Sequence, residues 1–150
     1  MVRNAKIEDY EEVEKIMQQV QGLHVGWRPD IYKPVIPVLS KKEFEELQKE
    51  EAIVVEERED KVCAVLVFVE RIYQSPTHVK RKVLFVDTMA VEEKYRGKGI
   101  GTGMFEYLKK VAKERQCDGI ELQVNARNTA AKKMYEKCGF TEKSINMELI

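Results

Sequence analysis

A short basic, glycine-rich stretch, R-G-K-G-I-G at residues 96–101, carries the strongest chemical signal in this chain. Its glycines allow successive backbone N–H groups to converge on an anion without interference from a Cβ atom. The apolar residues 83–91 before it predict a buried strand, and residues 102–115 after it predict an amphipathic helix. The N-terminus of that helix adds free N–H groups and a positive dipole end. Together these elements predict a cradle for a diphosphate group.

The spacing of the glycines excludes two common phosphate-binding loops. A P-loop requires G-x-x-x-x-G-K-[ST], and a dinucleotide fingerprint requires G-x-G-x-x-G or a final alanine. No glycine of the stretch begins either motif, whereas Arg96, Gly99 and Gly101 fit the pattern R-x-x-G-x-G.

A second motif, N-x-x-N-x-x-A-x-x-x-Y-x-x-x-G-F, occupies residues 125–140. Together with the R-x-x-G-x-G loop before it, and with room for one helix and one strand between them, it resembles the signature of the GNAT superfamily of N-acetyltransferases. The two motifs and the preceding strand cover residues 83–140, well over a third of the chain. The chain is accordingly identified as a member of this superfamily, with its subfamily left open.

The resemblance implies that acetyl-CoA is the co-substrate and that its pyrophosphate binds to the R-x-x-G-x-G loop, without a metal. It also implies a set of cofactor-binding positions on the strand before the loop, on the loop itself and in the second motif. These are Met89, Ala90, Val91, Arg96, Gly97, Lys98, Gly99, Ile100, Gly101, Thr102, Asn125, Asn128, Ala131, Lys133 and Tyr135.

The implied reaction needs a base and an acid. An alkylamine has a pKa near ~10.4, so few acceptor molecules are neutral at pH 7, and a base or water relay is useful. The resemblance places Asp87 at the base position and Tyr135 at the general-acid position. Because side chains alternate between the two faces of a strand, Asp87 is expected to share a face with Phe85, Met89 and Val91.

Several of these residues also have plain structural interpretations. One alternative is that Asp87 merely orders loops by hydrogen bonding. In that case Glu70 on the neighbouring strand is the reserve candidate for the base. Similarly, the role of Tyr135 could be limited to packing its helix on the sheet, and that of Asn128 to capping the helix. Cys138 is expected to be a packing residue rather than a covalent nucleophile.

Some polar residues have open or minor roles. Asn125 is equally suited to the cleft and to forming a turn, and Lys133 is a candidate for the 3′-phosphate. His24 and His78 have no partners at metal-ligand spacing, and each is expected to be structural or solvent-facing. The loop predicted around His24 mixes aromatic and charged groups that would suit a polar acceptor pocket.

Composition limits the remaining possibilities. The 150 residues include 26 basic and 26 acidic side chains, which argues against nucleic acid as the main partner. No run of about 18 apolar residues predicts a membrane span, and the N-terminus has no signal-peptide core. Three dispersed cysteines, Cys63, Cys117 and Cys138, predict neither a zinc site nor a disulfide framework. We expect a reducing, cytoplasmic setting.

Hydrophobic periodicity and turn residues predict the order of elements β-α-α-β-β-β-α-β-α-β. The predicted strands are residues 2–6, 52–57, 61–73, 83–91, 119–125 and 140–150. The predicted helices are residues 8–21, a segment capped by Ser40 and ending near Glu50, residues 102–115 and residues 128–137. Residues 22–39 and 74–82 are predicted loops, and Gly139 is a predicted left-handed C-cap.

This order is similar to the GNAT topology. The resemblance implies an α/β fold formed by residues 1–150 as a single domain, with four helices and a mixed sheet of about seven strands. It also implies that the sheet splays open between the strand ending at Val91 and the strand ending at Asn125, where the cofactor binds.

The function expected from the resemblance is transfer of an acetyl group from acetyl-CoA to a primary amine by direct attack in a ternary complex. The acceptor is expected to be a small molecule, and a homodimer is possible. The alternatives are acetylation of a protein or peptide amine and a non-catalytic, coenzyme A-binding regulatory protein.

Overall fold

One mixed, five-stranded sheet organises the chain, which the computed structural model describes from Met1 to Ile150. Its strands are β1 (Val2–Asn4), β2 (Ile53–Arg58), β3 (Lys61–Ser75), β4 (His78–Val91) and β5 (Gly119–Leu122). They lie in the order β1-β2-β3-β4-β5, and all neighbours are antiparallel except β4 and β5, which are parallel.

Four α-helices cover the two faces of the sheet, as predicted. They are α1 (Tyr10–Trp27), α2 (Lys41–Lys49), α3 (Ile100–Glu114) and α4 (Thr129–Lys137). The core is divided accordingly into two clusters, one with side chains from α1 and α2 and the other with side chains from α3. Residues 62–68 of β3 are buried throughout and contribute to both clusters, alternating from residue 64 to residue 68, which explains their continuous apolar run. No helix is long and apolar enough to cross a membrane.

The prediction of about seven strands is wrong, because residues 140–150 form no strand. Their alternating apolar side chains, such as Met147 and Leu149, are typical of a strand, yet they are exposed. The segment is held by side-chain ion pairs, Lys143 with Glu121 of β5 and Glu148 with Arg28. An alternating pattern is compatible with a strand, but a strand forms only where its backbone hydrogen-bonds to a neighbouring strand. Residues 140–150 form no such ladder.

Two predicted loops belong to regular structure. Helix α1 continues through Gly22 and Gly26 to Trp27, where residues 22–39 were predicted to be a loop. Each glycine weakens a helix by only about 1 kcal/mol, and the helix ends two residues before Pro29, where the ring restricts the chain. Residues 74–82 are also not a loop, since β3 and β4 form a long hairpin whose ladder extends to Ser75 opposite His78.

The sheet opens between β4 and β5. Parallel pairing of these strands ends at Val86 opposite Leu122, and β5 ends there, before the predicted end at Asn125. Beyond this point, residues 88–91 of β4 are paired only with β3. This leaves backbone groups of β4 free beside the start of α3, which agrees with the predicted splay.

Candidate active site

The glycine-rich loop forms an amide-lined concavity at the start of α3. Gly97 and Gly99 have φ angles of 76° and 77°, which other residues adopt only with strain, and a Cβ at either would meet nothing within 4 Å. Gly99 is the N-cap of α3, and the first hydrogen bond of the helix runs from Gly103 N–H to Gly99 O. The N–H groups before Gly103 therefore have no acceptor within the helix. This geometry can hold an anion.

Two basic side chains flank this concavity and contact the protein. The Arg96 Nε donates to the carbonyl of Val91 at 3.0 Å, which links the loop to the end of β4. The Lys98 Nζ lies 5.4 Å from the centre of the Tyr95 ring. Both residues are exposed, so their charges can also attract a phosphate.

Gly101 has a different role from that of Gly99. A Cβ at Gly101 would lie 2.8 Å from Sδ and 3.1 Å from Cε of Met134, so this glycine allows α3 and α4 to approach closely. Its neighbour along the helix, Thr102, is exposed, whereas Ile100 is buried in the core. The requirement for glycine at position 101 thus comes from helix packing.

Helix α4 carries the second motif, and two of its asparagines have structural roles. The Asn128 Oδ1 accepts from the N–H of Ala131 at 3.2 Å and caps α4, the alternative that the sequence left open. Asn125 lies past the end of β5, where its Oδ1 accepts from the N–H of Arg127 at 2.9 Å and forms a turn. Lys133 of the same helix is exposed.

Tyr135 packs against the aromatic core and has a strongly shifted pKa. Its ring lies edge-on to two phenylalanine rings, and its centroid is 5.8 Å from that of Phe105 and 5.9 Å from that of Phe140. Burial raises the pKa of Tyr135 to about 12, with a smaller contribution from Cys138. Because a thiol with a pKa of about 8.5 is a much stronger acid, transfer of a proton from this phenol to a thiolate is uphill. Tyr135 is therefore suited to donating a hydrogen bond to a thiolate.

Asp87 occupies a bulge in β4. It has no opposing residue on β3, and the pairing register shifts there by one residue. The prediction that Asp87 shares a face with Met89 and Val91 is wrong, because such a bulge reverses the alternation of faces. Met89 and Val91 pack toward α3, whereas Asp87 and Thr88, although adjacent, both line a cavity on the opposite face.

This cavity has a volume of about 360 Å³ and lies on the face covered by α1 and α2. Its apolar lining includes Met17 of α1, Leu39 of the loop before α2 and Val67 of β3. Small-molecule sites commonly have volumes of about 300–1,000 Å³ and mostly apolar walls with a few polar groups. The bulge therefore directs the Asp87 carboxylate into a space suited to a small ligand.

The sequence analysis missed part of this cavity. Glu43, Glu46 and Glu50 of the α2 region line it, as does Thr88. The glutamate spacing of three and four residues was the available signal, since it places all three on one helix face. Which element this face opposes depends on tertiary packing.

The wall of the cavity next to α2 is fixed by Glu14 of α1. Its carboxylate accepts from the N–H groups of Val38 and Leu39, each at 2.9 Å. The Tyr10 hydroxyl donates to the carbonyl of Leu39 at 2.8 Å. The loop that forms this wall is thereby anchored to the helix.

The reserve base, Glu70, is differently placed. Its carboxylate is 3.1 Å from Nη1 of Arg115 and 4.0 Å from Nζ of Lys82. It lines an adjoining cavity, which shares Glu50 and Val69 with the first cavity but does not include Asp87. These ion pairs make Glu70 less suited than Asp87 to accept a proton.

The remaining candidate residues have structural roles or exposed positions. His24 lies within α1 and stacks on Tyr32 with centroids 4.9 Å apart, and burial lowers its pKa. His78 Nδ1 is hydrogen-bonded to Ser75 Oγ at 2.6 Å in the β3–β4 turn. Cys138 is buried in the α3-side cluster.

Comparisons with known proteins agree with this architecture. A mutant of the BH1408 protein from Bacillus halodurans is 33% identical and superimposes with a TM-score of 0.91, over 100% of this chain and 98% of that one. An aminoglycoside N-acetyltransferase in complex with CoA, 12% identical, shares the fold with a TM-score of 0.75, over 100% of this chain and 98% of that one.

Comparisons of sequence also identify acetyltransferases as relatives of this chain. The streptothricin acetyltransferase of Escherichia coli is 37% identical over 62 residues, which are 41% of this chain and only 36% of that protein. The model of the acetyltransferase (GNAT) family matches residues 17–140. With most of its length covered by this match, the chain belongs to the GNAT family of acetyltransferases.

Proposed function

We propose that this protein transfers an acetyl group from acetyl-CoA to a primary amine of a small molecule, by direct attack in a ternary complex. The observation that carries the proposal is the end of β4–β5 pairing at Val86 and Leu122. Just beyond it, the glycine-rich loop and the Asp87 cavity flank the same opened segment of β4.

The loop fits the diphosphate of acetyl-CoA. Gly97 and Gly99 present backbone amides with open space where a Cβ would stand, and Arg96 and Lys98 supply positive charge. The free edge of residues 89–91 is suited to hydrogen-bonding the amides of the pantetheine arm. The first turn of α3 and the start of α4 complete the proposed binding surface, and the exposed Lys133 is the proposed partner of the 3′-phosphate.

Each proposed catalytic residue has a separate task. Acetyl-CoA, when bound, supplies the acetyl group and a thiolate leaving group. Asp87 takes the proton of the acceptor ammonium, directly or through water, so that the neutral amine can attack the thioester carbonyl. Backbone N–H groups of residues 89–91 stabilise negative charge on the carbonyl oxygen. The C–S bond breaks as the amide forms, the Tyr135 hydroxyl donates a hydrogen bond to the departing thiolate, and the second proton of the acylated nitrogen is released to solvent.

The cavity dimensions favour a small acceptor. At about 360 Å³ it accommodates a small molecule, and the loop forming its wall is anchored by Glu14. The test is a panel of small amines and peptide amino termini, assayed for release of free thiol from acetyl-CoA and for acetylated product. Product with small amines and none with peptides supports the proposal. Tight binding of acetyl-CoA with no transfer to any acceptor would instead indicate a non-catalytic, coenzyme A-binding protein.

A further inference from the structure

The cavity beside Asp87 is strongly acidic. Glu43 and Glu46 on one face of α2, and Glu50 at its C-terminal end, line it across from Asp87. No lysine, arginine or histidine lines the cavity. The lysines of α2, Lys41, Lys42 and Lys49, do not line it.

These carboxylates are not neutralised by the protein itself. Glu46, Glu50 and Asp87 take part in none of the ion pairs of the chain. Glu43 accepts a hydrogen bond from the Ser40 hydroxyl, a neutral partner. Like charges at this spacing on a helix repel one another, so a cationic ligand would relieve an existing repulsion.

Between the carboxylates the cavity is apolar. Met17, Leu47 and Val67 supply hydrocarbon surface on three different elements. A ligand that matches both features has a short hydrocarbon chain with a positive charge near each end. One ammonium group reaches Asp87, and the second reaches the glutamates of the α2 region.

We propose that the acceptor is an aliphatic diamine or polyamine, with Glu46 and Glu50 as residues that determine this specificity. The inference rests on the proposed function, in which Asp87 receives the reacting amine. The second ammonium group stays charged and is held by the glutamates, so a monoamine of the same chain length lacks this contact.

Calorimetric binding of diaminobutane and butylamine, which share a four-carbon chain, tests the inference without requiring turnover. We expect the wild-type protein to bind the diamine at least about tenfold more tightly at low salt, with the preference shrinking as salt screens the charges. In Glu46→Gln combined with Glu50→Gln, diamine affinity should fall by about three- to tenfold, given two partly exposed ion pairs. Butylamine affinity should change little.

Glu45→Gln is the control, because it removes one carboxylate from the same helix at a residue that does not line the cavity. It should retain the diamine preference. The double variant without ligand should melt at the wild-type temperature or above it, since it loses repulsion. Equal affinity for the two amines, equal loss in the control, or a lower melting temperature of the double variant would each overturn the inference.

Acetyl transfer to the same two amines separates this inference from the proposed function. Transfer to butylamine with no diamine preference would leave the proposed function intact and overturn the inference. Glutamate-dependent diamine binding without transfer to any amine would support the cationic specificity of the cavity while contradicting the acetyltransferase proposal.

Discussion

Tyr135 illustrates how one residue can serve packing and chemistry together. Its ring is part of an aromatic cluster with Phe105 and Phe140, and the same burial raises the pKa of its hydroxyl to about 12. A raised pKa keeps the phenol protonated, and thus a hydrogen-bond donor, over the whole physiological range. Its proposed role needs only that donor, because complete proton transfer to the thiolate is unfavourable.

Replacement of Tyr135 by phenylalanine tests this role. Tyr135→Phe keeps the ring and its packing but removes the donor, so kcat should fall by about 10²-fold while acetyl-CoA affinity stays near wild type. Steady-state kinetics and calorimetry measure the two quantities. In the wild-type enzyme, ionisation of Tyr135 should cause no loss of activity below about pH 11, given its pKa of about 12. Unchanged kcat in the variant would leave Tyr135 with a packing role only.

The role of Asp87 is testable by pH. Asp87→Asn keeps the shape but removes the basic carboxylate, so kcat/KM should drop most at neutral pH. It should recover as pH approaches the acceptor's own pKa, near ~10.4 for an alkylamine, because the neutral amine is then abundant. A pH–rate profile measures this recovery. A uniform loss at every pH would indicate a positioning role, and no loss would exclude Asp87 as the base.

At the scale of elements, the approach of α3 to α4 explains the glycine at position 101. A single Cβ there would press on the end of the Met134 side chain, which is flexible and can shift. A larger branched side chain would force the two helices apart. Because amides of the proposed cofactor cradle belong to the first turn of α3, such a displacement would also disturb the cradle.

Gly101→Val should therefore weaken acetyl-CoA binding at least about tenfold, or about 1.4 kcal/mol. Gly103→Val is the matched control, since Gly103 lies in the same helix with nothing within 4 Å of its would-be Cβ. It carries the same change in helix propensity but should retain most of the affinity. Calorimetry on folded variants makes the comparison, and equal losses in both would attribute the effect to propensity.

At the scale of the whole molecule, a charged cluster joins three elements near the N-terminus. The Arg3 guanidinium of β1 contacts Asp9 at 2.7 Å and Glu57 of β2 at 3.2 Å, and the Lys6 N–H also donates to Asp9. Burial alone would raise the pKa of Asp9, but the hydrogen bonds from Arg3 and Lys6 outweigh it, and the pKa is lowered. This cluster fastens β1 and the start of α1 to the sheet.

Asp9→Asn should destabilise the protein by about 2 kcal/mol at pH 7, because hydrogen bonds to a charged group are lost. In a protein of this size that corresponds to a fall in Tm of about 4–8 °C. Since the folded pKa of Asp9 is lowered, its stabilisation is present above the usual carboxyl pKa and is lost as pH falls through the folded value. Thermal melts should therefore show the gap between variant and wild type closing in acid.

Glu142→Gln provides the control for this melt, because it removes an exposed ion pair with Lys132. Its Tm should stay within about 4 °C of wild type, since exposed pairs contribute about 0–1 kcal/mol. A gap between Asp9→Asn and wild type that persists unchanged below the folded pKa would contradict the assignment to Asp9 ionisation.

Interactions between residues close together in the sequence determined several structural features of this protein. The Ser40 cap and the left-handed Gly139 depend on residues within a few positions of one another and were predicted correctly, and the Asn128 cap was one of the alternatives that the sequence left open. The two motifs also identified the family. Such features form wherever their short sequences occur, because the contacts that stabilise them are local.

Other features depend on contacts between residues that are distant in the chain, and only the tertiary structure reveals them. Residues 140–150 alternate like a strand but form no backbone ladder with the free edge of β5, and α1 continues through two glycines predicted to end it. The face of Asp87 follows from a bulge, which only the register of β4 against β3 reveals. The acidic cavity exists because α2 packs beside that bulge. Periodicity specifies which residues share a face of one element, but packing between elements determines what that face meets.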